Sequence, residues 1–109
     1  MPAYKKGATL GIEIGFTEEE WAGIYPWDEI LSECENATTE YPLTITTDAQ
    51  ARTILLSSPT DNFLKGFYKA DIRVVKNGTV MFIPREGYIN FTITNPVSEV
   101  ANEVTTDAS

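Results

Sequence analysis

Histidine is absent from the 109 residues, and cysteine occurs once, at Cys34. Without histidine there is no imidazole general base, no commonest zinc ligand and no Ser-His or Cys-His nucleophile pair. One cysteine excludes an intramolecular disulfide framework and any all-cysteine metal site. No apolar run approaches the roughly 20 residues that cross a bilayer, so no membrane association is expected. The opening MPAYKKGATLGIEIG has two lysines but no continuous apolar stretch behind them, and a secretory signal is not expected.

Acids outnumber bases, 16 to 8, for a net charge of −8. The excess is uneven. Residues 1–47 hold nine acids against Lys5 and Lys6, residues 48–94 hold four acids against six bases, and the remainder adds three acids. Phosphate backbones repel such a chain, so nucleic acid is not an expected partner. Its length and its 42% hydrophobic content fit one globular domain.

What is present is alternation. Leu10, Ile12, Ile14 and Phe16 alternate with Gly11, Glu13 and Gly15, which predicts a half-buried strand. Thr17 followed by Glu20 fits a capping box and predicts a short helical turn, which Gly23 weakens and Pro26 would stop. WDEILSECEN (27–36) fits either a strand, with Ile30, Ser32 and Cys34 on one face, or a helix, with Trp27, Ile30, Leu31 and Cys34 on one stripe. The β character of the rest favours the strand. YPLTITT (41–47), RTILLSS (52–58), FYKADIRVVK (67–76), TVMFIP (79–84) and YINFTIT (88–94) read as further strands. Asn77-Gly78 between two of them is a strong type I′ hairpin signal. Six or seven strands with turn residues between them predict an antiparallel β-sandwich. The expected organisation is an N-terminal arm over 1–6, a β-domain over 7–94 and an extended, acidic tail over 95–109.

Candidate chemistry is sparse. Glu18, Glu19 and Glu20, with Asp28 and Glu29, offer oxygen ligands for a hard cation, but no calcium-loop spacing accompanies them. A solvated helix N-terminus explains the glutamates more simply. Paired carboxylates for glycoside hydrolysis need a cleft, and none is inferable from so small a β-domain. Trp21, Tyr25 and Trp27 form the densest aromatic group, either a partner- or sugar-stacking surface or a cap on the open end of the core. The glycosylation-type triplets at Asn36, Asn77 and Asn90 read as chance matches, since threonine is favoured in strands.

Three segments carry a resemblance: KGATLGIEIGF, LTITTDAQARTILLSSPTDNF and GFYKADIRVVKNGTVMFIPREGYINFTITNPVSEV. They resemble the small immunoglobulin-like β-sandwich proteins of tailed bacteriophages and prophages, nearest to those of tail fibres, baseplates and receptor-binding assemblies. The signature falls on Gly66, Tyr68, Ala70, Asp71, Ile72, Arg73, Val74 and Gly78, and TEEEWAGIYP departs from the usual short polar loop. The resemblance implies a non-enzymatic virion component, assembled in the host cytoplasm, with other virion proteins and copies of itself as partners. It implies no cofactor, metal or small-molecule substrate. A tail, fibre or baseplate adaptor is the expectation, with a head decoration protein and a small carbohydrate-binding module as alternatives. The residues expected to dock are Trp21, Tyr25 and Trp27, with Pro96, Val97 and Val100 in the terminal segment.

Overall fold

Apolar residues at every second position make the chain mostly β in the computed structural model, which describes residues 1–97. The elements are β1 (Ala3–Lys5), β2 (Thr9–Gly15), α1 (Glu18–Ile24), β3 (Glu29–Glu35), β4 (Glu40–Asp48), β5 (Thr53–Pro59), β6 (Gly66–Lys76), β7 (Thr79–Ile83) and β8 (Ile89–Thr94). The eight strands form one hydrogen-bonded path, β1-β8-β6-β3-β4-β5-β2, with β7 on β6 as a branch. This path curls around a single core and is nearly barrel-shaped.

The expected six or seven strands are therefore eight. The extra one is β1, which lies in the stretch expected to be a bare arm and pairs in parallel with β8, Tyr4 opposite Ile93. Three residues are too few to show a period, so only the partner strand makes this one. The ambiguous 27–36 segment is strand: β3 buries Ser32 and Cys34 and turns Leu31 and Glu33 outward.

β4 holds the two halves together by changing partner along its length. Glu40–Leu43 pairs with β3, and Thr44–Asp48 pairs with β5. β6 is long enough to divide one edge between two strands: Gly66–Ala70 pairs with β8, and Ile72–Lys76 pairs with β7. Its other edge pairs with β3 throughout Lys69–Val75. The β6–β7 turn has Asn77 at φ 53° and Gly78 at φ 79°, the two positive values that a type I′ turn requires.

The core follows from the pleat. Leu10, Ile54 and Leu56 from one half meet Leu43, Tyr68, Ala70, Ile72, Val74, Phe91 and Ile93 from the other. Tyr68 stacks on Phe91 with ring centroids 5.2 Å apart, and Phe63 stacks between Tyr41 and Tyr68. The buried Tyr68 hydroxyl donates to the Leu64 carbonyl at 2.6 Å and accepts from Asn36 Nδ2 at 3.2 Å. Among the described residues no buried side-chain polar atom lacks a hydrogen-bond partner.

Candidate docking surface

α1 sits at the end of the molecule where β2 hands over to β3. Thr17 and Glu20 make the capping box in both directions, Thr17 Oγ1 accepting from the Glu20 amide and Glu20 Oε1 from the Thr17 amide. At the other end Lys76 Nζ donates to the carbonyls of Ala22 and Tyr25, a cation where the helix dipole favours one. Asp28 Oδ2 accepts from the Asn77 amide, tying the same region to the β6–β7 turn. Helix and hairpin are thus one unit.

The three aromatics of the sequence reading converge here. Trp21 stacks on Tyr25 at 5.3 Å, and Trp27 meets both edge-on at 5.7 and 5.2 Å. Trp21 is buried at 6% exposure, Trp27 is half-buried, and Tyr25 alone is exposed, so the group is largely a satellite of the core. Pro96 is half-buried and Val97 fully exposed beyond the end of β8, away from the aromatic group in sequence, and Val100 lies outside the described residues. Three of the five acids weighed as cation ligands have other occupations, and Glu18 and Glu19 are exposed on the first turn of α1. Glu29 pairs with Arg73 at 2.6 Å, Asp28 holds a turn and Glu20 caps its helix. Among the described residues no group of three such side chains is placed to hold a metal ion.

A surface that the sequence reading missed lies on the other side of α1. Val80 and Phe82 of β7 are exposed, and Leu31 lies across Arg73 from Phe82 in the ladder, all on the outer face of the sheet. Met81 and Ile83 turn inward. β7 pairs with β6 only, and its far edge borders a groove of about 970 Å³ whose opposite wall is α1. Phe16, Gly23, Ile24, Glu19 and Glu20 line the helix side, and Val80 to Arg85 line the strand side. The signal in the sequence was TVMFI itself, an uncharged hairpin arm. That its outer edge is free depends on β8 pairing with the other half of β6, which no local pattern reveals.

Among the described residues three groups have displaced protonation equilibria. Burial pushes the Cys34 thiol up to about 12, so it behaves as an inert core residue. Burial also raises the Tyr68 phenol. Asp71 is raised by desolvation first and by the charge of Glu35 second, and it lies directly across the ladder from Glu33.

No family model and no curated protein matches this chain. Among solved structures, the fold is similar to part of InlP from Listeria monocytogenes, with 20% identity and a TM-score of 0.51 over 87% of this chain and 25% of that one. It is also similar to part of the endo-β-1,4-mannanase from Thermotoga petrophila, with 9% identity and a TM-score of 0.53 over 88% of this chain and 18% of that one. The chain spans a quarter or less of either protein, and at these identities the likeness is one of fold alone.

Proposed function

We propose that this chain is a non-enzymatic docking domain of immunoglobulin-like sandwich architecture, acting as an adaptor in the tail, fibre or baseplate of a tailed phage. The sandwich assignment is supported by the ladders. β3 and β6 are central in one group, β5 lies between β4 and the edge strand β2 in the other, β4 passes between the groups, and β1 runs parallel to β8 at the margin. Tyr68, near the start of β6, bonds back to the carbonyl four residues upstream in the manner of a tyrosine corner.

The observation that carries the docking reading is the apolar outer edge at β7, with Val80 and Phe82 exposed two positions apart on one face. Scattered exposed apolar residues are ordinary, whereas a neighbouring pair on a free sheet edge invites a partner. The phage setting rests on the sequence resemblance through Gly66–Gly78. A head decoration protein would use the same surface. A carbohydrate module would need open ring faces, and Trp21, Tyr25 and Trp27 use much of theirs on one another.

The test is location. Mass spectrometry of purified particles from the strain that encodes the chain should find it at a fixed ratio to tail proteins, cross-linked to at least one of them. Recovery only outside particles, or cross-links confined to head proteins, would contradict the tail assignment.

A further inference from the structure

We propose that the groove between β7 and α1 binds an extended segment of a partner protein, which adds to β7 as a further strand and carries a lysine or arginine against Glu19. This deepens the docking reading and rests on it.

The argument begins with the turn. In a two-residue type I′ hairpin the residues that flank the turn exchange both backbone hydrogen bonds. Here those residues are Lys76 and Thr79, and the register then makes Val74–Met81 and Ile72–Ile83 hydrogen-bonded pairs as well. Val80 and Phe82 are the alternate, non-bonded positions. Their N–H and C=O groups point away from β6, into the groove, and β7 has no second neighbour to receive them. Natural edges are commonly blunted with a charge, a proline or a bulge. β7 has no charge and no proline between Thr79 and Ile83, and its pairing with β6 is continuous.

The walls define the occupant. A strand beside β7 would alternate, one set of its side chains facing Phe16 and Ile24 and the other facing out beside Val80 and Phe82. Main-chain bonds then supply affinity, and pockets for alternate side chains supply selectivity. On the helix wall Glu19 is exposed and forms no ion pair among the described residues, whereas Glu20 is engaged in the cap. The charged residues lining the groove are Glu19 and Glu20 on the helix wall and Arg85 at the far end of the strand wall, two acids to one base, so the helix side favours a basic side chain over an acidic one. The chain's own residues 98–109 contain acids and no base, which argues against that segment from a second copy.

A selection from surface-displayed random peptides tests this, with the folded domain as bait. Two variants serve as counter-baits. Val80→Pro removes an outward N–H without touching the β6 ladder, and Glu19→Lys reverses the wall charge on an exposed helical position. The selected peptides should alternate β-branched or aromatic residues with polar ones, carry lysine or arginine, and bind each variant roughly tenfold more weakly. They should also slow hydrogen exchange at the Val80 and Phe82 amides. Should Val80→Pro fail to fold, Glu19→Lys and the exchange pattern decide the matter. Peptides that bind both variants like the original and leave those two amides unprotected would overturn the strand-addition proposal while leaving docking intact. Failure to enrich any peptide over the Val80→Pro bait would overturn it as well. If the domain alone doubles its mass with Val80 and Phe82 protected, the occupant is a second copy and the partner assignment falls.

Discussion

The ammonium of Lys76 donates to the main-chain carbonyl of Ala22 at 2.7 Å, across 54 positions of chain, and so fixes a short helix to the last residue of the longest strand. Seven residues make a helix too short to stand alone in water. Its placement depends on the capping box, on the burial of Trp21 and Ile24, and on this contact.

Lys76→Met removes the donor and keeps most of the stem. It should cost about 1 kcal/mol of stability. The loss should be accompanied by a change in tryptophan fluorescence, because Trp21 and Trp27 are the only tryptophans and both lie at α1. Unchanged fluorescence with an unchanged melting temperature would show that the helix is held without Lys76.

Tyr68→Phe deletes one hydroxyl from a buried site and leaves the Leu64 carbonyl and the Asn36 amide without that partner. A loss of about 1–3 kcal/mol is expected in chemical denaturation, with an unchanged m-value. An effect near zero would remove the tyrosine corner from the account.

Gly78→Val tests the hairpin. A Cβ at Gly78 meets nothing within 4 Å, so any cost comes from the backbone at φ +79° and not from a clash. About 1–2 kcal/mol is expected, the penalty of a left-handed conformation for a branched residue. Stability equal to the original would mean that the turn is of another type.

Much of this was legible in the sequence because it is local. The Thr17–Glu20 box, the Asn77-Gly78 turn and the pleat of β2 each follow from residues a few positions apart. Three features were not. β1 exists only because Thr92–Thr94 is beside it, β4 changes partner between Leu43 and Thr44 within one unbroken alternation, and the free edge of β7 is a consequence of where β8 pairs. The aromatic group was found correctly as a group, yet alternation says nothing of Trp21 being buried by its own neighbours. Which strand leaves an edge open was not legible, because a hairpin arm carries the same pattern whether its outer side is paired or open.

Asp71 gives the fold a pH signature. Its folded value is raised above the ordinary 3.8, so the ionised form weakens the fold at neutral pH, and that penalty disappears as pH falls through the folded value. Asp71→Asn should therefore raise the melting temperature at pH 7. The gain over the original should shrink as pH falls toward about 4. A gain that grows on acidification would have the wrong sign.

The most direct measurement of the central claim is residue-resolved amide hydrogen exchange on the isolated domain. Val80 and Phe82 should exchange quickly while their neighbours Met81 and Ile83, bonded into the β6 ladder, exchange slowly. Slow exchange at all four would mean that the edge is already covered, and fast exchange at all four would mean that β7 is not a strand.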